Sequence, residues 1–342
     1  MELVFNWCHN CKQPVYAPEK SPCPTCEEPT KYLTTDARPV FARERRILQF
    51  YGHGPLTTDA VWRSSKSRFY YINGESVSLP SSSELKDDLP AIADFIRDSK
   101  HYDALDEQLM TDYHRQLSAN RPHLLALEDE AFTFIHKATK RFSRRLFMVS
   151  FSGGKDSTVV SDVVRRALGR SDILHVFGDT TLEDEHTYEY VQRFQADNPL
   201  IPFFNAKAEH NFHDLVEEMG PPSRVMRWCC TIFKAGPILN LLQTLGDQKI
   251  LTFYGIRRSE SVRRSQYHDP VKDDSEKLGV VVQVGQDQEL NGVTVGAKIG
   301  QQATASPIID WSEFDVWLYI LLNEVAFNKS YRLGYSRVGC WL

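Results

Sequence analysis

Short apolar runs separated by longer amphipathic stretches mark the second half of the chain. They are Leu146-Phe147-Met148-Val149-Ser150, Ile173-Leu174-His175-Val176-Phe177, Ile201-Pro202-Phe203-Phe204 and Ile250-Leu251-Thr252-Phe253-Tyr254. Such runs suit strands buried on both faces, and the helical stretches between them supply the crossovers of a parallel sheet. The pattern predicts an α/β domain over residues 146–342. Residues 86–145 follow helical spacing instead, with Leu127, Ala131, Phe134, Ile135 and Ala138 on one face. The last of these helices closes on Lys137, Lys140, Arg141, Arg144 and Arg145, which suits the negative end of a helix dipole. A helical insert is predicted there. Residues 36–85 read as a small β-rich module. In it Arg68-Phe69-Tyr70-Tyr71-Ile72, Asn73-Gly74 and Glu75-Ser76-Val77-Ser78-Leu79 predict a hairpin closed by a type I′ turn.

Composition narrows the classes. A chain of 342 residues accommodates one large domain with one or two small modules. No apolar run approaches the roughly 20 residues of a membrane span, and the start lacks the basic and long apolar regions of a signal peptide. A cytosolic location and no membrane partner are expected. The net charge of -5 argues against broad coating of nucleic acid, though not against a local basic site. Arg43, Arg45, Arg46, Arg63, Lys66 and Arg68, beside Trp62, Phe69 and Tyr70, are candidates for such a site. A solvated strand face is the alternative.

Seven cysteines in such a chain favour metal or redox chemistry over disulfides. Cys8-His9-Asn10-Cys11 and Cys23-Pro24-Thr25-Cys26 are two C-x2-C knuckles, the spacing of a zinc ribbon over residues 1–35. Cys8, Cys11, Cys23 and Cys26 are the predicted Zn²⁺ ligands. So short a segment draws its folding energy from the metal. Free thiols or a disulfide pair are the alternative.

The chemistry centres on Ser152-Gly153-Gly154-Lys155-Asp156-Ser157-Thr158, directly after the first apolar run and at the head of a helix through Val159, Val160, Val163 and Val164. Two glycines let the backbone approach an anion. The N–H groups and positive dipole of the helix start then hold phosphate, with hydroxyls from Ser152, Ser157 and Thr158 and a charge from Lys155. It is not a Walker loop. It resembles the SGGxDS loop of the PP-loop ATP pyrophosphatases, a Rossmann-like fold. The resemblance implies ATP bound with Mg²⁺ and split into AMP and pyrophosphate.

Four further segments narrow the resemblance. Phe177-Gly178-Asp179-Thr180 with Glu185-His186-Thr187-Tyr188, Arg227-Trp228-Cys229-Cys230 through Lys234-Ala235-Gly236-Pro237, Gly255-Ile256-Arg257-Arg258-Ser259-Glu260-Ser261-Val262-Arg263, and Pro307-Ile308-Ile309-Asp310-Trp311 through Asp315-Val316-Trp317 resemble motifs of the phosphoadenylylsulfate reductase-like family. Arg227, Lys234, Arg257 and Arg263 are expected to grip a phosphate- or sulfate-bearing ligand, since guanidinium forks suit oxyanions. Arg258 and Arg264 read as exposed helix charge. Asp179 is expected to orient the ribose or hold Mg²⁺, with a structural cap as the alternative. Lys155, Asp156, Asp179 and Arg257 are the expected catalytic set. Ser312 and Asp315 are expected to cap a helix.

Cys229, Cys230 and Cys340 resemble the thiolate ligands of the family's iron–sulfur members, which implies a [4Fe–4S] cluster; buried hydrophobic cysteines are the alternative. In layout the chain resembles the ATP pyrophosphatase component of Dnd/Ssp-type DNA phosphorothioation systems. That implies adenylation of a DNA backbone phosphate oxygen, its replacement by sulfur, and partners that include DNA and a cysteine desulfurase. A sulfonucleotide reductase and a non-catalytic nucleotide-binding assembly subunit are the competing expectations. The reductase is disfavoured by the lack of an E-C-G-x-H segment around Cys340.

Overall fold

The computed structural model describes residues 2–97, 102–223, 228–246, 248–260, 288–290, 293–295 and 302–339. The chain divides into two compact units, Met1–Glu128 with Trp311–Ser336, and Asp129–Asp310 with Arg337–Leu342.

The first unit begins with β1 (Leu3–Cys8) and β2 (Gln13–Pro18), an antiparallel pair joined on its other side by β3 (Lys31–Thr34). A four-stranded antiparallel sheet follows. It consists of β4 (Ala37–Pro39), β5 (Val61–Ser64), β6 (Phe69–Ile72) and β7 (Glu75–Ser78), with α1 (Ala42–Phe50) inserted after β4. The hairpin turns at Asn73 and Gly74, both at positive φ, as a type I′ turn requires. A side chain at Gly74 would run into the Trp7 indole, so glycine is needed there twice over. Then come α2 (Ser82–Phe95) and α3 (Tyr102–Gln116), while α4 (Arg121–Arg141) begins in this unit and ends in the second.

The helix Glu313–Leu322 also belongs to this unit. Its start carries the expected capping box between Ser312 and Asp315, and the Asp36 carboxylate accepts the N–H groups of Glu313 and Phe314 at 3.0 and 2.9 Å. Two unpaired donors of the helix start are thereby satisfied by a side chain 277 and 278 residues away.

Much of the basic cluster in this unit is structural. Glu44 is buried and accepts from Arg38 (2.9 and 2.8 Å), Arg63 (2.9 Å) and the Tyr70 hydroxyl (2.6 Å). Arg45, 2% exposed, donates to the carbonyls of Val40, Leu56 and Asp59 and to Tyr113. Trp62 and Tyr70 are buried. A polynucleotide site built on Arg45, Arg63, Trp62 and Tyr70 is therefore not what the fold makes of them; they hold the module together.

In the second unit β8 (Leu146–Phe151), β9 (Leu174–Asp179), β10 (Phe203–Lys207), β11 (Ile250–Phe253) and β14 (Gln302–Ala305) form one parallel sheet in the order β10-β9-β8-β11-β14. The intervening β12 (Gln288–Leu290) and β13 (Val293–Val295) form an antiparallel pair and, among the described residues, pair with no other strand. Helices α5 (Lys155–Leu168), α6 (Glu185–Asp197), α7 (Phe212–Met219) and α8 (Gly236–Thr244) connect the strands. Phe151 and Phe177 pack on Tyr190, Val191 and Phe194 of α6, whereas Met148, Val176 and Ala206 pack on Leu241 of α8. Both sheet faces are covered, as the unbroken apolar runs demand. This is the expected α/β parallel-sheet fold.

Candidate functional site

Chain order fixes where a ligand sits. From β8 the chain adds β9 and then β10 on one side, and afterwards returns to place β11 on the other. The switch point lies between β8 and β11, and in open parallel sheets the binding crevice opens there, beyond the carboxyl ends of the strands. Two predicted segments meet at that point: Ser152–Thr158 after β8 and Gly255–Arg257 after β11.

The loop is built by its glycines and hydroxyls. Gly153 has φ +71°, and a Cβ there would lie 3.1 Å from Thr187 and 3.3 Å from Val191 on α6. Gly154 is the N-cap of α5. The Ser152 N–H donates to Ser157 Oγ (3.1 Å), which in turn donates to the Gly154 carbonyl (2.9 Å). Thr158 Oγ1 is 2.9 Å from the Tyr190 hydroxyl. Gly255 presses on the same turn: a Cβ there would be 2.7 Å from the Asp156 carbonyl carbon and from the Ser157 nitrogen.

Asp156 joins the two segments. Its Oδ1 accepts from Arg257 Nε at 2.5 Å and its Oδ2 lies 3.3 Å from Lys155 Nζ. Arg257 also donates to Ser259 Oγ at 3.0 Å. Burial alone would raise the Asp156 carboxyl, but Lys155 and Arg257 outweigh it and hold it below the usual carboxylate range. Both cations are buried, with side chains 4% exposed. Such a helix start, with fixed cations beside it, favours an incoming polyphosphate.

Asp179 stands at the end of the neighbouring strand. Its Oδ1 accepts from the Thr181 N–H (2.8 Å) and from the Tyr188 hydroxyl (2.8 Å), so it closes the β9–α6 turn as a cap does. Thr181 is held at φ 61°. Burial first, and then the Asp179 carboxylate, push the Tyr188 phenol up. Among the described residues Asp179 Oδ2 accepts no hydrogen bond. Tyr188 and Gly255 each fall inside one of the family-like motifs, yet residue type and spacing assigned neither a role. A glycine two residues past a buried strand is the available signal for Gly255.

Lys234 falls in a π-helical turn, Thr231–Ala235, that follows the short helix Trp228–Cys230 and precedes α8. Cys229 packs against the cluster of Leu182, Phe212, Trp228 and Phe233. Arg227, Arg263 and Cys340 lie outside the described residues, as do the side chains of Lys234 and Cys230, so the expected cluster and much of the arginine set lie there too. Arg258 is not a free surface charge: it pairs with Asp310, and its N–H donates to the Ile309 carbonyl at 2.9 Å.

The four N-terminal thiols form a second centre. Their sulfurs all lie within 4.8 Å of one another, with Cys8 3.5 Å from Cys26 and Cys23 3.9 Å from Cys11. A tetrahedral zinc ion with bonds of about 2.3 Å sets its sulfurs about 3.8 Å apart, so the set fits such an ion. Lys12 and Glu27, one residue past each knuckle, have φ 53° and 62° and turn the chain back. The Asn10 side chain, and next the backbone at Glu28, bring Cys26 down to about 6, whereas burial pushes Cys8 up.

The phosphoadenosine phosphosulfate reductase domain model matches residues 146–342, more than half of the chain. The chain belongs to this family. A Methanocaldococcus jannaschii protein named only as uncharacterized is 30% identical over 281 residues, which is 79% of this chain and 52% of that one. An adenosine 5'-phosphosulfate reductase of Oceanobacillus iheyensis is 26% identical over 191 residues, 55% of this chain and 67% of that one. The chain spans about half the length of the first curated relatives it matches. The phosphoadenylyl-sulfate reductase structure from Candida auris, a phosphate complex, covers 64% of this chain and 95% of its own at 16% identity, with a TM-score of 0.42. Among the described residues no helix is long and apolar enough to cross a membrane.

Proposed function

We propose that this chain is an ATP pyrophosphatase working in sulfur transfer. The observation that carries the reading is the junction of Gly153, Lys155 and Asp156 with Gly255 and Arg257 at the sheet's switch point. ATP would lay its β- and γ-phosphates on the N–H groups at the start of α5. Lys155 and Arg257, oriented by Asp156, would neutralise the charge that builds on pyrophosphate as it leaves. An acceptor oxygen attacks the α-phosphorus, the α–β bond breaks, and pyrophosphate departs with the electron pair. A sulfur nucleophile then displaces AMP from the activated acceptor. The residues fit Mg²⁺, since Asp179 keeps one carboxylate oxygen without a partner among the described residues; the ion would supply further charge neutralisation. We take the acceptor to be a backbone phosphate of DNA, as in phosphorothioate modification, with sulfur delivered as a persulfide by a cysteine desulfurase. Once that sulfur is bonded to phosphorus, a dithiol breaks its S–S bond and is oxidised to the disulfide. The four-thiol ribbon would hold Zn²⁺ as a structural ion.

The relatives named adenosine 5'-phosphosulfate reductase favour a second reading, reductive cleavage of a sulfonucleotide to sulfite. One comparison separates the two. The protein is incubated with ATP and Mg²⁺, and separately with a sulfonucleotide and a dithiol. AMP with pyrophosphate from the first supports ATP cleavage; sulfite from the second, with ATP untouched, supports the reductase.

A further inference from the structure

One face of α6 backs the phosphate loop. Thr187, Tyr190 and Val191 lie on that face at helical spacing, and all three are buried. A Cβ on Gly153 would lie 3.1 Å from Thr187, 3.3 Å from Val191 and 3.8 Å from Tyr190, so the loop rests against them. The Tyr190 ring also stacks with Phe151, the last residue of β8, with centroids 6.2 Å apart. Its hydroxyl lies 2.9 Å from Thr158 Oγ1 in the first turn of α5. One side chain therefore spans both ends of the loop.

Both hydroxyls are withdrawn from solvent, since Tyr190 is 3% and Thr158 2% exposed. A buried hydroxyl costs free energy unless it is hydrogen-bonded, so the pair fixes how the loop's far end sits on α6. The body of α5 is held separately. His175, fully buried on β9, donates from Nδ1 to the Ile173 carbonyl at 2.8 Å, which leaves Nε2 to accept from Ser161 Oγ at 2.8 Å. Burial brings this imidazole down to about 4, so it stays neutral near neutral pH and the bond to α5 persists. Loss of the Tyr190 hydroxyl therefore loosens the loop and the first turn without releasing the helix.

We propose that Tyr190 is a positioning residue for the phosphate loop: through Phe151 and Thr158 it holds the backbone N–H groups of that loop in the arrangement that receives the polyphosphate of ATP. The inference rests on the ATP pyrophosphatase reading above for its ligand; the geometry stands without it. Thr158 then serves the phosphates through the shape of the loop and not by contact with them. Donors held in place beforehand need no ordering when the ligand binds, and no reorganisation as charge builds on pyrophosphate.

The test uses the full chain with Tyr190→Phe and Thr158→Val, which each remove one hydroxyl, their double variant, and Thr158→Ser, which keeps it. Deuterium exchange of the ligand-free protein is read in the peptide 151–158, where the Ser152 amide donates to Ser157 and the Thr158 amide to Gly154. In Tyr190→Phe and in Thr158→Val that peptide is expected to exchange about tenfold faster, the weight of one buried hydrogen bond, with peptides of β1 and β2 unchanged. The double variant should match the single ones, because both changes break the same bond. Thr158→Ser should match the wild type. Calorimetric titration with ATP and Mg²⁺ is expected to show about tenfold weaker binding in Tyr190→Phe and Thr158→Val, and no change in Thr158→Ser. Wild-type exchange in either hydroxyl-free variant would overturn the proposal. So would wild-type ATP affinity there, since a merely structural bond would lower the melting temperature and leave the affinity alone. A wild type that binds no ATP contradicts the pyrophosphatase reading, and the exchange of the loop peptide still decides the role of Tyr190.

Discussion

Arg257 Nε meets Asp156 Oδ1 at 2.5 Å and so ties the loop after β11 to the first turn of α5. Removing Arg257 leaves Asp156 with Lys155 alone and forfeits one charge-assisted hydrogen bond, which costs about 1.5–3 kcal/mol. Arg257→Ala is therefore expected to lower stability in urea unfolding by that order and to reduce ATP cleavage at least a hundredfold. Arg257→Lys should recover part of the stability, because Lys155 and a second ammonium still neutralise Asp156, but little of the rate.

The same pair sets a pH dependence. The folded Asp156 carboxyl lies below its ordinary value, so its contribution is present above the unfolded pKa and is lost as pH falls through the folded one. Wild type should lose stability more steeply than Asp156→Asn on acidification below the usual carboxylate range. Urea midpoints measured from pH 7 down to about pH 3 check this.

Gly255 tests the crevice without touching a charge. Its missing side chain lets the β11 loop lie against the backbone of Asp156 and Ser157. Gly255→Ala is expected to cost about 1–3 kcal/mol and to weaken ATP binding in calorimetry, while far-UV circular dichroism stays unchanged. Normal ATP affinity in this variant would mean that the two segments do not form one site.

The ribbon makes its own demand. Chelation, or Cys26→Ser, should remove one metal ion per chain by elemental analysis and lower the melting temperature, because the four thiols suit a tetrahedral ion that closes the two knuckles. Retained melting behaviour after complete zinc removal would contradict a structural role.

Asp36 carries a different consequence. Asp36→Ala deprives the helix Glu313–Leu322 of two accepted hydrogen bonds and is expected to cost about 1–2 kcal/mol. A chain lacking residues 1–128 should expose this helix's apolar surface and aggregate, a result read by light scattering.

The parallel sheet was legible because β8, β9 and β11 lie on apolar runs. The edge strand β10 (Phe203–Lys207) shares only Phe203 and Phe204 with the apolar run 201–204 and continues through polar Asn205 and Lys207. The loop was legible because glycines and hydroxyls at a helix start admit few other readings. Strand β14 was not. Gln302-Ala303-Thr304-Ala305 has no bulky residue to betray it, and Ala303 and Ala305 are buried only because β11 lies alongside. The basic residues of the β module misled for the opposite reason. Arg45 and Arg63 look solvent-facing in sequence, and their partners Val40, Leu56, Asp59 and Glu44 come together only in the fold. Asp179 shows the same limit, since its bonds to Thr181 and Tyr188 depend on a turn at positive φ that residue types alone do not reveal.

The proposed function requires cleavage between the α- and β-phosphates of ATP at Lys155 and Asp156. Its most direct test follows ATP labelled at the α-phosphorus, with Mg²⁺, a DNA oligonucleotide and a sulfide source, in wild type and in Lys155→Ala. Labelled AMP and an equal amount of pyrophosphate are expected from the wild type, and neither from the variant. Labelled ADP with inorganic phosphate, or AMP formation that survives Lys155→Ala, would contradict it.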